Sequence, residues 1–170
     1  MEAMKVEYEV LMKNETWDLV PYPNEKNVIR NKWIYKVKYK SIGVNKKYKA
    51  RSVAKDFAQK YGVDYEETFA PMEKMPINKI ILALSVAWGW KVFQLDVKSA
   101  FLNGDLYVEI FMNQLEGFIM EGKEAFMCKL KKSLYGLMQA PKARYKKISR
   151  YFVDIGFFKC CFDFDLYVLN

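Results

Sequence analysis

Residues 92–102, VFQLDVKSAFL, constrain this chain more than any other segment, because they place an acid at the end of a predicted strand. The apolar pattern predicts a half-buried strand that ends at Asp96, followed by a turn of small residues and by Phe101. A carboxylate at a strand tip can hold a divalent cation against phosphate oxygens, as metal-dependent phosphoryl transfer requires. The alternative is that Asp96 caps a helix that starts at Val97, a common role for aspartate.

The composition limits the class of protein. The 170 residues are 52% hydrophobic, which is enough for the core of one domain or of part of a larger one. There are 28 basic residues against 20 acidic ones, and the net charge of +8 favours an anionic partner, with nucleic acid first. Because the sequence has no histidine, it excludes Ser-His and Cys-His catalytic pairs and histidine-bound zinc.

Neither the cysteines nor the apolar segments predict a secreted or membrane protein. The three cysteines include an adjacent pair and no C-x-x-C motif, so they favour a reducing compartment over a disulfide framework or a zinc site. Residues 1–10 lack the apolar centre of a signal peptide. The longest apolar run, residues 80–90, is too short to cross a bilayer and predicts a buried helix that ends at Gly89. We therefore expect an intracellular protein with no membrane partner.

Periodicity and turn residues predict an α+β fold, in which helices cover one face of an antiparallel sheet. The predicted helices are 3–13, 76–87 and 141–155, and the predicted strands are 16–20, 32–40, 45–55, 91–96, 107–112, 126–130 and 166–169. In 32–40, aromatic and aliphatic residues alternate with lysines, which predicts a two-faced strand. Residues 41–43 are expected to turn the chain into 45–55, so these two strands form a hairpin.

Basic residues are concentrated in two zones. Residues 26–60 contain twelve Lys or Arg and one acid, Asp56, and residues 123–150 contain nine Lys or Arg and one acid, Glu124. Two basic zones that flank an acid-bearing strand suit a cleft for a nucleic-acid backbone beside a metal site. The alternative for any single lysine is that it belongs to a solvated face.

Six separated motifs resemble, in order and spacing, the reverse transcriptase domain of copia-type retrotransposon polyproteins. The motifs are ETWDLVPYP at 15–23, NKWIYKVKYK at 31–40, KYKARSVAKDFAQKYGVDYEETFAPM at 47–72, VFQLDVKSAFL at 92–102, SLYGLMQAPKARY at 133–145 and GFFKCCFDFDLYV at 156–168. The resemblance implies a right-hand polymerase fold in a single incomplete domain over residues 1–170. Residues of about 15–75 resemble the fingers, and residues of about 76–170 resemble part of the palm.

The resemblance also implies a chemistry for Asp96. This residue is similar to the first of three metal-binding catalytic aspartates in a polymerase palm, and the implied cofactor is Mg²⁺. In a two-metal mechanism the ions activate the primer hydroxyl and neutralise the charge of the incoming triphosphate. The implied partners are an RNA or DNA template–primer and a deoxynucleoside triphosphate (dNTP).

Four further residues resemble parts of a nucleotide site. Lys49 and Arg51 resemble fingers residues that contact triphosphate oxygens, a task that suits the forked donors of arginine. Phe101 resembles the aromatic residue that packs under the sugar, and its alternative role is core packing. Gln139 resembles a pocket glutamine near the nucleotide, and its alternative role is that of a polar loop residue.

The resemblance places a Tyr-x-Asp-Asp hairpin shortly beyond the strand that begins at Leu166, whereas the sequence stops at Asn170. Asp163 and Asp165 precede that hairpin, and we expect Asp163 to cap or turn the chain. Because Asp96 alone cannot hold two divalent ions, we expect this chain to be catalytically incomplete and its sheet to keep an unpaired edge. A noncatalytic basic nucleic-acid-binding protein and an inert transposon relic remain the alternatives.

Several residues depart from the family pattern inside these motifs. The departures are Ser52 for an apolar residue, Asp56 for glycine, Leu115 for proline, Met138 and Lys142 for basic residues, Arg144 for tryptophan and Cys160 for serine. If Arg144 occupied a buried position, the exchange would cost about 3 kcal/mol or more. We interpret these changes as drift after selection relaxed.

Overall fold

The computed structural model describes residues 1–39, 46–71 and 75–169, with only the backbone of Lys46. Three helices form in this part of the chain: α1 (Glu2–Lys13), α2 (Met75–Ala87) and α3 (Ala140–Asp154). The strands are β1 (Trp17–Pro21), β2 (Val28–Ile29), β3 (Asn31–Tyr39), β4 (Lys46–Ala54), β5 (Phe111–Met112), β6 (Phe126–Leu130), β7 (Phe158–Lys159) and β8 (Tyr167–Val168). Two short 3₁₀ helices span Asp56–Ala58 and Ala100–Asn103. The structure therefore confirms the prediction that the fold contains both helices and strands.

The central sheet contains four strands in the order β1-β6-β5-β2. β6 pairs antiparallel with both β1 and β5, whereas β2 pairs parallel with β5. The core lies on this sheet and includes Leu11 from α1, Ile29, Met112 and Leu115, each at most 1% exposed. A fully buried aliphatic side chain of this kind stabilises the fold by about 1.5–3 kcal/mol. Leu115, which departs from the family pattern, is therefore part of the core.

The hairpin of β3 and β4 sorts its side chains as the alternation predicts. Lys36 pairs with Lys49, and Lys38 pairs with Lys47, so cations lie opposite one another on one face. The other face carries aromatic residues, and it is fixed at its base where Trp33 Nε1 donates to the Glu116 carbonyl at 3.0 Å. Like charges across a strand pair repel, so the basic face favours an anionic ligand. The predicted turn at 41–43 lies outside the described residues.

The two strands predicted beside Asp96 are wrong in whole or in part. Residues 91–97 form no strand, and all of them are exposed. Of 107–112, Phe111–Met112 alone is a strand. Alternation makes a segment suitable for a sheet, but a strand also needs a neighbour for its backbone hydrogen bonds. Among the described strands none pairs with 91–97, and the unpaired sheet edge expected from the sequence stays a prediction.

The long apolar run forms the predicted helix, but the predicted burial is wrong. α2 ends before Gly89, whose φ of +65° is typical of a helix terminus. Ser85 is the buried residue of the described part of α2, whereas Val86 is 83% exposed. On its inner side, Ile77 and Ile81 line a cavity of about 370 Å³ shared with α3. An apolar helix is buried only if another layer covers it, and the described chain supplies little of that layer.

Candidate nucleotide and nucleic-acid site

A row of two cations and two aromatic rings joins the hairpin to the 3₁₀ helix that follows Asp96. The Arg51 guanidinium lies 4.8 Å from the centre of the Tyr135 ring. Tyr135 meets Phe101 edge to face, with ring centres 4.4 Å apart and an interplanar angle of 61°. The Arg144 guanidinium lies 5.7 Å from the centre of Phe101. The fold thus brings together Arg51 and Phe101, which the sequence analysis selected separately.

Tyr135 and Arg144 are components of this arrangement that the sequence analysis did not select. Tyr135 lies in the motif at 133–145, but nothing in its spacing distinguishes it from a core tyrosine. Arg144 is exposed, and its contact with Phe101 is a cation–π interaction. The cost predicted for a buried arginine therefore does not apply, because the side chain is exposed. Phe101 is half-buried and also packs against the core, so its two predicted roles are compatible.

The loop that carries Tyr135 is fixed by a close approach to β4. The Ala54 amide donates to the Tyr135 carbonyl at 2.8 Å. Gly136 follows with a φ of +86°, and a Cβ atom there would lie 2.1 Å from the Ala54 carbonyl oxygen. A residue without a side chain is required at this position on both steric and conformational grounds. The ring of Tyr135 is thereby held against Arg51.

The two predicted triphosphate-binding cations have a carboxylate neighbour from α1. Lys49 is half-buried and Arg51 is exposed on β4, against which α1 packs. Burial is the main effect on Glu7 and raises the pKa of its carboxyl above the usual value of 4.5. Arg51, Lys49 and the backbone N–H of Ser52 act in the opposite direction. Glu7 therefore offsets part of the positive charge of this face.

We expect Glu7→Gln to stabilise the protein at neutral pH. A carboxyl whose pKa is raised by folding contributes stability that is present below pH 4.5 and lost as the pH rises through the folded-state value. The charged Glu7 is therefore unfavourable at pH 7, and glutamine removes that charge while keeping an acceptor for Ser52. Thermal unfolding should show a higher midpoint at pH 7 and a smaller gain in stability on acidification. Glu9→Gln, at an exposed site on the same helix, is the control, and equal shifts in both variants would contradict the assignment.

Gln139 is held by hydrogen bonds at the start of α3. Its Oε1 accepts from Gln59 Nε2 at 3.1 Å, and its Nε2 donates to the Asp64 carbonyl at 3.1 Å. Both partners come from the segment after β4, so Gln139 connects that segment to α3. Neither Gln59 nor the backbone of Asp64 was predicted from the sequence to belong to this site.

Asp96 lies in the exposed segment 91–97. The alternative role as a cap for a helix at Val97 is wrong, because the next element begins at Ala100 and its N-cap residue is Ser99. In the ranges that the structure describes, no group of three His, Cys, Asp or Glu side chains could hold a metal ion. The described residues therefore do not form a complete metal centre, and Asp96 supplies at most part of one.

Two other acids have structural roles. Asp56 Oδ1 accepts from the backbone N–H of Phe57 at 2.9 Å, at the start of a 3₁₀ helix. The buried Asp163 accepts from the backbone N–H of Asp165 at 2.9 Å, which confirms the prediction that Asp163 turns the chain. Among the departures, Ser52 is the one with an unmet requirement, since its buried Oγ has no hydrogen-bond partner among the described residues. No helix within the described ranges is long and apolar enough to cross a membrane.

The profile of the reverse transcriptase (RNA-dependent DNA polymerase) family matches residues 14–170, which include every residue of the candidate site except Glu7. The chain belongs to this reverse transcriptase family. Within the family, it is similar to the Pol polyproteins of copia-type retrotransposons, as the motifs indicated.

Two plant relatives match the chain over most of its length. The chain is 43% identical over 169 residues to the retrovirus-related Pol polyprotein from transposon RE1 of Arabidopsis thaliana, covering 99% of this chain and 12% of that protein. It is 47% identical over 151 residues to the corresponding polyprotein from transposon TNT 1-94 of Nicotiana tabacum, covering 89% of this chain and 11% of that protein. The chain thus spans about an eighth or less of the length of these relatives. No solved structure matches it.

Proposed function

We propose that this chain forms the fingers and part of the palm of an RNA-directed DNA polymerase, with fingers residues of about 15–75 and palm residues of about 76–170. The observation that carries the proposal is the row of Arg51, Tyr135, Phe101 and Arg144, because it joins a cation of the hairpin to an aromatic residue of the predicted palm. A nucleotide needs both kinds of contact, cations for its phosphates and an apolar surface for its sugar.

The residues at this site contact different parts of the dNTP and of the template–primer. Lys49 and Arg51 bind the triphosphate of the dNTP, since they lie on the face of the hairpin where lysines of β3 lie opposite lysines of β4. Phe101 packs under the deoxyribose. Gln139 contacts the nucleotide with the side-chain N–H and the oxygen lone pair that its present partners do not use. The other lysines of the hairpin bind the backbone of the template–primer.

Asp96 supplies one carboxylate ligand to the divalent-metal centre of the polymerase, with Mg²⁺ as the implied ion. Oxygen ligands and an exposed position suit that ion. The rest of the ligand set lies outside the described residues, which contain no such cluster.

Primer extension is the direct test of this function. The polymerase that contains this sequence should add dNTPs to a primer annealed to an RNA template, and the protein with both Lys49 and Arg51 replaced by glutamine should do so with a higher KM for dNTP. If the variant is active with an unchanged KM for dNTP, these two residues do not bind the triphosphate. The alternatives of a noncatalytic binding protein and an inert relic are not favoured, since the relatives that align with nearly the whole chain are Pol polyproteins.

We also expect the variant Lys36→Gln, Lys38→Gln, which changes two exposed lysines on the basic face of the hairpin, to bind template–primer with a weaker salt dependence. Each phosphate contact releases condensed counterions, so loss of one contact reduces the slope of log K against log salt by about 1. Filter binding from low to physiological salt measures this slope. The control is Lys131→Gln, Arg150→Gln, whose cations already face Asp18 and Asp154. A similar decrease in both double variants would show that net charge, and not this face, determines the binding.

A further inference from the structure

Three hydrogen bonds run in one direction from the backbone before α3 to the segment after β4. The Met138 amide donates to Gln59 Oε1 at 2.8 Å, and Gln59 Nε2 donates to Gln139 Oε1 at 3.1 Å. Gln139 Nε2 then donates to the Asp64 carbonyl at 3.1 Å. These three hydrogen bonds form a relay that connects Gln59 and Gln139, which lie 80 positions apart in the sequence.

The two ends of this relay determine how each amide is oriented. A backbone N–H can only donate, so Met138 requires the oxygen of Gln59 on its side and turns the NH₂ group of Gln59 toward Gln139. A backbone carbonyl can only accept, so Asp64 requires the NH₂ group of Gln139. A flip of either side-chain amide would place donor against donor at one contact and acceptor against acceptor at another. One orientation is therefore strongly preferred.

The segment that carries Gln59 is itself anchored by a buried carboxylate. Asp64 is 3% exposed, and its Oδ2 accepts from Asn27 Nδ2 at 2.6 Å and from the Lys60 amide at 2.8 Å. Asn27 also donates to the Ala58 carbonyl at 2.7 Å. Gln59 is 9% exposed, so it approaches Gln139 from a position in which both its backbone and its side chain are restrained.

We infer that Gln59 is a positioning residue for the nucleotide site, which acts by holding Gln139 in one orientation. An amide side chain has two donor hydrogens and two acceptor lone pairs, and the relay uses one of each on Gln139. The remaining N–H and lone pair are thereby presented in one arrangement to an incoming nucleotide. Gln59 touches no substrate in this scheme. The inference rests on the proposed function, because it assigns the nucleotide contact to Gln139.

The variant Gln59→Met tests the inference by removing both amide contacts at similar side-chain volume. We expect the KM for dNTP in primer extension to rise about three- to tenfold, with the KM for template–primer unchanged, since Gln139 must then be ordered by the nucleotide itself. Asn27→Ala is the matched control. It breaks the same network at Asp64 but leaves both contacts of Gln139 in place, so it should lower the thermal midpoint without raising the KM for dNTP.

A double-mutant cycle distinguishes positioning from general loss of structure. If Gln59 acts through Gln139, the double variant Gln59→Met, Gln139→Met should be no worse than Gln139→Met alone. Additive losses, or a KM effect in Asn27→Ala equal to that in Gln59→Met, would overturn the inference.

A second readout does not depend on polymerisation. The side-chain amide of Gln139 in the 170-residue chain should give one protected NMR resonance pair in the wild type and an averaged, rapidly exchanging pair in Gln59→Met. If the polymerase that contains this sequence fails to extend primers while this difference is present, the proposed function is overturned and the coupling of the two glutamines is supported. An unchanged Gln139 resonance pair overturns the coupling whatever the activity.

Discussion

Replacing Asp96 by asparagine in the proposed polymerase is expected to lower the rate of nucleotide incorporation by about 10³-fold or more. Such a loss corresponds to about 4 kcal/mol of transition-state stabilisation, which is reasonable for a carboxylate that binds a catalytic cation. Asp96 is exposed and caps no helix, so the substitution has little in the fold to disturb. Primer extension and filter binding on the same preparation measure the two effects. Binding of template–primer should be unchanged or slightly stronger, because one negative charge is removed.

Asp18→Asn is the control for this prediction. Asp18 is also an exposed aspartate, but it lies on β1 beside Lys131, where the same charge change involves neither Asp96 nor a proposed nucleotide-binding residue. Both variants should unfold at nearly the wild-type temperature. Full activity of Asp96→Asn would show that Asp96 is not a ligand of the proposed metal centre. A comparable loss of activity in Asp18→Asn would assign the effect to overall charge.

Gly136→Ala is expected to destabilise the chain by about 2–4 kcal/mol. Two effects combine at this residue: alanine is strained at a φ of +86°, and its Cβ atom would meet the Ala54 carbonyl oxygen at 2.1 Å. The loop must therefore move away from β4, which breaks the hydrogen bond between the Ala54 amide and the Tyr135 carbonyl. For a chain of this size, the midpoint of thermal unfolding should fall by about 5–15 °C.

Gly62→Ala separates the two effects. Gly62 has a φ of +79°, but no atom of the residues that the structure describes lies within 4 Å of an added Cβ atom, so this variant has the backbone strain without the collision. We expect it to cost about 1–2 kcal/mol, clearly less than Gly136→Ala. If the two variants lose the same stability, the close approach of Gly136 to β4 does not contribute. Calorimetry of the wild type and both variants makes the comparison.

Local sequence signals were sufficient for the helices and for most strands. β6 has the bounds predicted from the sequence, and α3 begins and ends within one residue of the predicted limits. Pro141 near the helix start and Gly156, with a φ of +93°, after its end act through the backbone of their own segment. The alternation of β3 likewise sorts its side chains without reference to the rest of the chain.

The predictions that failed were those that required a partner. Residues 91–96 have the pattern of a strand but no described neighbour, and α2 has the pattern of a buried helix but a largely exposed surface. Pairing and burial are properties of two segments together, so the pattern of one segment cannot establish them. For the same reason, the sequence could not decide whether the penalty predicted for a buried Arg144 applies, and the fold leaves this side chain exposed.

By itself, the sequence determined the family, the positions of most helices and strands, and the chemical types of the candidate residues, because each depends on residue order and local periodicity. Only the tertiary structure decided which of those residues meet. It placed Tyr135 between Arg51 and Phe101, and it joined Gln59 to Gln139. Such contacts depend on distances between segments far apart in the chain. The packing of the core and the steric requirement at Gly136 set those distances.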